Sequence, residues 1–81
     1  MTEEHRDSKR TIESVRSVNE RREYISQCAL DKTDIDILTL RYVDFKTFGF
    51  IADTIGLSLS QVQRRHKWAL RALSEVIKNT R

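Results

Sequence analysis

The chain has 81 residues, 38% of them hydrophobic, with a single cysteine and no proline. That is enough for one small helical core and too little for a second functional lobe, and one cysteine rules out an internal disulfide scaffold. The net charge is only +3, yet residues 1–30 carry six basic and six acidic side chains, residues 31–60 three and five, and residues 61–81 six and one.

Residues 1–8 mix charges without periodicity and read as a disordered or frayed N-terminus, which leaves 9–81 as a single helical domain. The opening MTEEHRDSKR lacks the apolar core of a signal peptide, and no apolar run approaches the roughly 20 residues of a membrane span. The expectation is a cytoplasmic protein with no membrane contact. From Lys9 to Leu30 the spacing predicts one long helix, with Val15, Val18, Ile25 and Ala29 on a stripe that Arg22 interrupts. That stripe is expected to pack on the helices that follow; the rival is a homodimer through a short coiled coil of this N-terminal helix. Cys28, His5 and His66 show no ligand spacing, so no metal is expected.

Asp31 to Thr33 break the pattern, and Thr33 followed by Asp36 predicts the start of a short helix over 34–43. Ile35, Leu38 and Tyr42 fall on one side of it, with Ile37, Leu40 and Val43 filling much of the rest, which makes it the hub of the core. Asp44 to Lys46 form a link, and Thr47 is the expected N-cap of a helix that buries Ile51, Ala52 and Ile55. Gly56 ends that helix where a left-handed residue is needed, and Ser58 with Gln61 has the spacing of a capping box. Ser60 and Gln63 offer the same spacing, so two cap registers are open. The last helix then runs to the C-terminus.

On a wheel of 100° per residue, Val62, Ala69, Leu73 and Val76 of this last helix cluster within about 60°, with Ile77 beside them. Ser60, Arg64, Lys67, Arg71 and Lys78 lie within about 40° of the opposite direction. An apolar stripe inward and a basic stripe outward on one helix suit a phosphate backbone, and two helices joined by a tight turn over about 47–71 read as a helix-turn-helix. The side chains near the start of such a helix reach base edges, which assigns base reading to Ser60, Gln63 and Arg64. Lys67 and Arg71 are expected on the DNA backbone, with Thr47, Gln61 and Arg65 as further backbone candidates. Gln61 has a competing use as a cap, Arg65 points off the stripe, and His66 faces the core. Phe45, Phe50 and Trp68 are candidates for a protein-partner surface, Phe50 joining Phe45, Phe48 or Leu59 in an exposed patch. For Trp68, packing on the N-terminal helix is equally open.

Arg41-Tyr42, Ile51-Ala52, Gly56-Leu57-Ser58, Val62, Ala69-Leu70 and Leu73 together resemble region four of the sigma-70 family of transcription initiation factors, over Asp34 to Ile77. The ending RRHKWALRALSEVI is also similar to the small late-gene transcription activators of phages, the ArpU and RinA type. A region four standing alone cannot replace a sigma factor, so the resemblance implies a DNA-binding regulator that can also touch RNA polymerase. Leu59, Ser60 and Arg64 stand where housekeeping sigma factors generally have Arg, Glu and Gln, which implies that a different sequence is read.

The resulting expectation is an all-α, three to four helix bundle with a C-terminal helix-turn-helix and a long recognition helix. It would act as a sequence-specific regulator of transcription on double-stranded DNA, with no cofactor. The alternative is a protein-interaction module that binds RNA polymerase without reading DNA. No nucleophile, base and orienting group share a usable spacing and no phosphate loop is present, so no catalytic residue is assigned.

Overall fold

The computed structural model describes residues 3–80, among which there are five helices and no strand: α1 (Glu3–Glu13), α2 (Val18–Ser26), α3 (Lys32–Tyr42), α4 (Phe48–Ile55) and α5 (Leu59–Thr80). The all-α expectation holds, and the count rises to five because the one long N-terminal helix expected over 9–30 is two. α1 starts at Glu3, so residues 3–8 are helical rather than frayed, with Ser8 buried; residues 1 and 2 lie outside the described residues.

The break between α1 and α2 has a local cause. Ser17 leaves the helical region (φ −76°, ψ 125°) and its hydroxyl accepts from the Glu20 amide at 3.3 Å, so Ser17 to Glu20 is a helix start inside the apolar stripe. Arg21 then takes one carbonyl at this break and one at the end of α3. Its Nε donates to Val15 O at 2.6 Å and its terminal nitrogen to Tyr42 O at 3.1 Å, tying the break to the end of α3. Val15 and Ile25 are buried inside this one chain, and the break interrupts the seam on which a coiled-coil dimer through an N-terminal helix would depend.

α3 begins two residues earlier than expected. Asp31, not Thr33, is its N-cap, accepting from the Asp34 amide at 2.9 Å. Its adjacent residues Ile37 and Leu38 point about 100° apart and so enter two different clusters. Leu38 joins Ile12, Val15, Ile25, Leu70, Leu73 and Ile77, whereas Ile37 joins Ile51, Ala52 and Val62. The first cluster holds α1, α2 and the C-terminal half of α5; the second holds α4 against the start of α5.

α5 is about 33 Å long at 1.5 Å per residue and packs on every other helix. Its buried side is wider than periodicity indicated, since Leu70 and Ser74 are covered as well as Ala69, Leu73 and Ile77. α1 covers that side. The Ser74 hydroxyl is thereby removed from water with no hydrogen-bond partner, a condition that generally costs about 1–3 kcal/mol.

Two stability measurements check this packing. Ile12→Ala is expected to lower unfolding free energy in urea by about 2–5 kcal/mol, because α1 is held chiefly through this side chain and its neighbours. Ser74→Ala is expected to leave the urea midpoint unchanged or raise it, since it removes an unpartnered buried hydroxyl.

Candidate nucleic-acid interface

The turn between α4 and α5 is built from three local devices. Thr47 caps α4, its hydroxyl accepting from the Phe50 amide at 3.1 Å. Gly56 adopts φ 84°, and its amide and that of Leu57 both donate to Ala52 O, at 2.9 and 3.1 Å. Ser58 and Gln61 then cap α5 reciprocally: the Ser58 amide donates to Gln61 Oε1 at 2.9 Å and the Gln61 amide to Ser58 Oγ at 3.2 Å. Of the two cap registers open in the sequence, this one occurs, and it starts α5 at Leu59.

That start decides what is left to face outward. Ser60, Gln63, Arg64, Lys67 and Arg71 are all exposed on one side of α5, with Val62, Ala69 and Leu73 buried opposite. Ser60 Oγ lies 3.3 Å from Ser58 Oγ, so the first residue of this exposed row is already oriented by the cap. Two expected backbone contacts each have one polar atom engaged in the fold. Gln61 Oε1 is held in the capping box, and the Arg65 guanidinium lies 3.2 Å from Asp34 and 3.4 Å from Asp31. The hydrogen bond and charge of Asp34, with Asp31 behind it, push the Arg65 pKa further up, so it stays a cation fastened to the start of α3.

An aromatic stack sets the angle between α4 and α5. His66, buried as its wheel position indicated, shares a 2.6 Å hydrogen bond from Nε2 to the Tyr42 hydroxyl. The two rings stack with centroids 5.7 Å apart, and Phe48 meets His66 edge-on at 4.8 Å. Arg41 lies 4.3 Å over the outer face of Phe48 and donates to Lys46 O at 3.0 Å. Arg41-Tyr42 at the end of α3 thus grip the first residue of α4 and the second turn of α5. Burial pushes the Tyr42 phenol up to about 12, outweighing the opposing pull of Arg41. Sequence reasoning placed His66 inward but did not find its partner, which lies 24 residues away.

The three aromatic partner candidates do not share one patch. Phe45 and Phe50 are exposed at the α3–α4 link and on the outer side of α4, with Lys46 Nζ 5.1 Å from the Phe50 ring. Phe48 is withdrawn from that patch into the stack on His66. Trp68 is 59% exposed, which decides against packing on the N-terminal helices. It stands on α5 about 80° from Ser60, on the flank toward Arg65, while His66 and α4 lie on the other flank.

α4, a three-residue turn over 56–58 and a basic α5 define a helix-turn-helix domain, braced by a third helix and extended by α1 and α2. Residues 29–75, more than half of the chain, match the family model described as Sigma-70, region 4, and the chain belongs to that family, whose domains bind promoter DNA. α1 and α2 precede the matched segment. No curated protein and no solved structure matches the chain significantly.

The buried phenol makes a pH dependence that can be measured. The folded pKa of Tyr42, about 12, exceeds the ordinary value of 10.0, so the unfolded chain loses this proton first and stability falls as pH rises from 10 toward 12. The urea midpoint is expected to drop across that interval, and Tyr42→Phe to show a shallower drop from a lower starting value.

Proposed function

We propose that this chain is a sequence-specific, double-stranded DNA-binding regulator of transcription that inserts the start of α5 into the major groove. The carrying observation is the Ser58–Gln61 box, which leaves Ser60, Gln63 and Arg64 exposed together on the first turns of α5. A groove about 12 Å wide admits a helix; Arg can take guanine O6 and N7 together, Gln can pair similarly with adenine, and Ser tolerates either. Lys67 and Arg71, one and two turns beyond Arg64, suit phosphates, and the amides at the start of α4 beside Thr47 suit another. Gln61 and Arg65 stand behind Lys67 and Arg71 as phosphate contacts, because the cap holds the Gln61 carbonyl oxygen and Asp31 and Asp34 hold one Arg65 nitrogen. The ending RRHKWALRALSEVI supports placing the regulator among the small late-gene activators of phages.

A second reading, contact with RNA polymerase or another regulator, is favoured by one observation. Phe45 is 65% exposed and holds φ 57°, a conformation unfavourable for a bulky side chain, where glycine would be both easier and more soluble. Polymerase capture without salt-sensitive DNA binding would favour this reading over the first.

Selection of bound duplexes from random DNA supplies the site for the decisive test. Arg64→Ala is expected to lose about 1–3 kcal/mol of preference for that site over random duplex. Lys67→Ala is expected to weaken binding to both and to reduce the slope of log K against log salt by about 0.9. Equal losses on both duplexes for both variants would count against the assignment.

A further inference from the structure

We propose that Trp68 is a DNA-strand contact, its indole standing on the sugar-phosphate backbone along the groove wall opposite the one met by α4. This inference rests on the groove insertion of α5. Trp68 is two turns beyond Ser60, about 12 Å along the helix, which is the scale of the groove itself. A helix lying in the groove has a strand on each side. On the α4 side the wall meets Lys46 and the amide end at Thr47. On the other side lie Gln61, Arg64, Arg65 and Trp68, which together line one shallow open groove.

Two of these four also carry structural bonds, Gln61 through its carbonyl oxygen in the cap and Arg65 through one terminal nitrogen on Asp31 and Asp34. Arg64 is assigned to the bases in the proposed binding mode, and Trp68, with no such bond, stands free beside these residues for the strand. Its chemistry fits. The indole N–H is a donor with no acceptor to repel a phosphate, the ring offers a flat apolar surface to a deoxyribose, and neither use needs a charge. The surroundings supply the complementary field, with Lys67 Nζ 5.9 Å from the ring centroid and Arg64 and Arg71 beside it on the exposed side of α5.

Trp68 is the only tryptophan, so its emission reports on itself in the unmodified chain. Binding is followed by anisotropy of an end-labelled duplex of roughly two helical turns, first of mixed sequence at low salt and then of the selected site. Tryptophan emission and its quenching by acrylamide are recorded in the same titration. Emission is expected to change, and acrylamide access to fall, in step with the anisotropy.

Trp68→Phe removes the N–H donor and keeps a ring; it is expected to weaken binding about threefold to tenfold, and Trp68→Ala by about tenfold or more. The salt slope should stay at the wild-type value in both, because a neutral donor displaces no counterion. Thermal midpoints should also stay unchanged, as the side chain is exposed. Full duplex binding with unaltered tryptophan emission and wild-type affinity in Trp68→Ala would overturn the Trp68 contact, leave groove insertion standing and release the indole for a protein partner. Absence of any salt-sensitive duplex binding would overturn both.

Discussion

One helix carries both the core and the exposed basic face, and the rest of the molecule follows from that double load. α5 cannot rotate about its axis without dragging Val62, Leu70, Leu73 and Ile77 out of two apolar clusters. Burial therefore fixes the angular position of Ser60, Arg64 and Lys67 on the opposite side. The capping box fixes their position along the axis by deciding where the first turn begins. The exposed row is thus positioned by apolar burial on the opposite side of the helix and by the cap at its start.

Around that helix the polar and aromatic contacts divide the work by place. Arg65 fastens the second turn of α5 to the start of α3, where the carboxylates of Asp31 and Asp34 also suit the positive end of the helix. The His66 stack fastens the neighbouring position to the end of α3 and the start of α4. α3 is thus pinned to α5 at both ends, and α4 is held by its first residue. The angle between the two helices of the motif is set by rings and a hydrogen bond in addition to the small contact at Ala52.

The family match stops short of α1 and α2, yet these helices supply a large share of the first cluster. Ile12, Val15 and Ile25 cover Leu70, Leu73 and Ile77, the half of α5 that extends beyond the turn and the exposed row. The same packing brings Arg21 against the end of α3 and to within 5.8 Å of the Phe45 ring. What this chain shares with region four is the motif and its brace; what it adds is an N-terminal cover for the far half of the recognition helix.

The sequence by itself determined the features that depend on near neighbours along the chain. Thr47, Gly56, Ser58 and Gln61 were legible because caps and left-handed turns act over three or four residues, and the two faces of α5 were legible because helical period does the same. Ser17 with Glu20 carried an equally local signal, which the apolar stripe running across it masked. Tertiary structure alone decided the rest, because the groups involved meet across long stretches of chain. Arg65 finds carboxylates more than 30 residues away, His66 finds Tyr42 24 residues away, and Ser74 is buried on a helix against which every other helix packs. Those contacts sort the candidates, drawing Arg65 and Phe48 into structural work and leaving Ser60, Gln63, Arg64, Lys67 and Trp68 on the surface. A local pattern can say which way a side chain points, and only the packed chain can say what is already there to meet it.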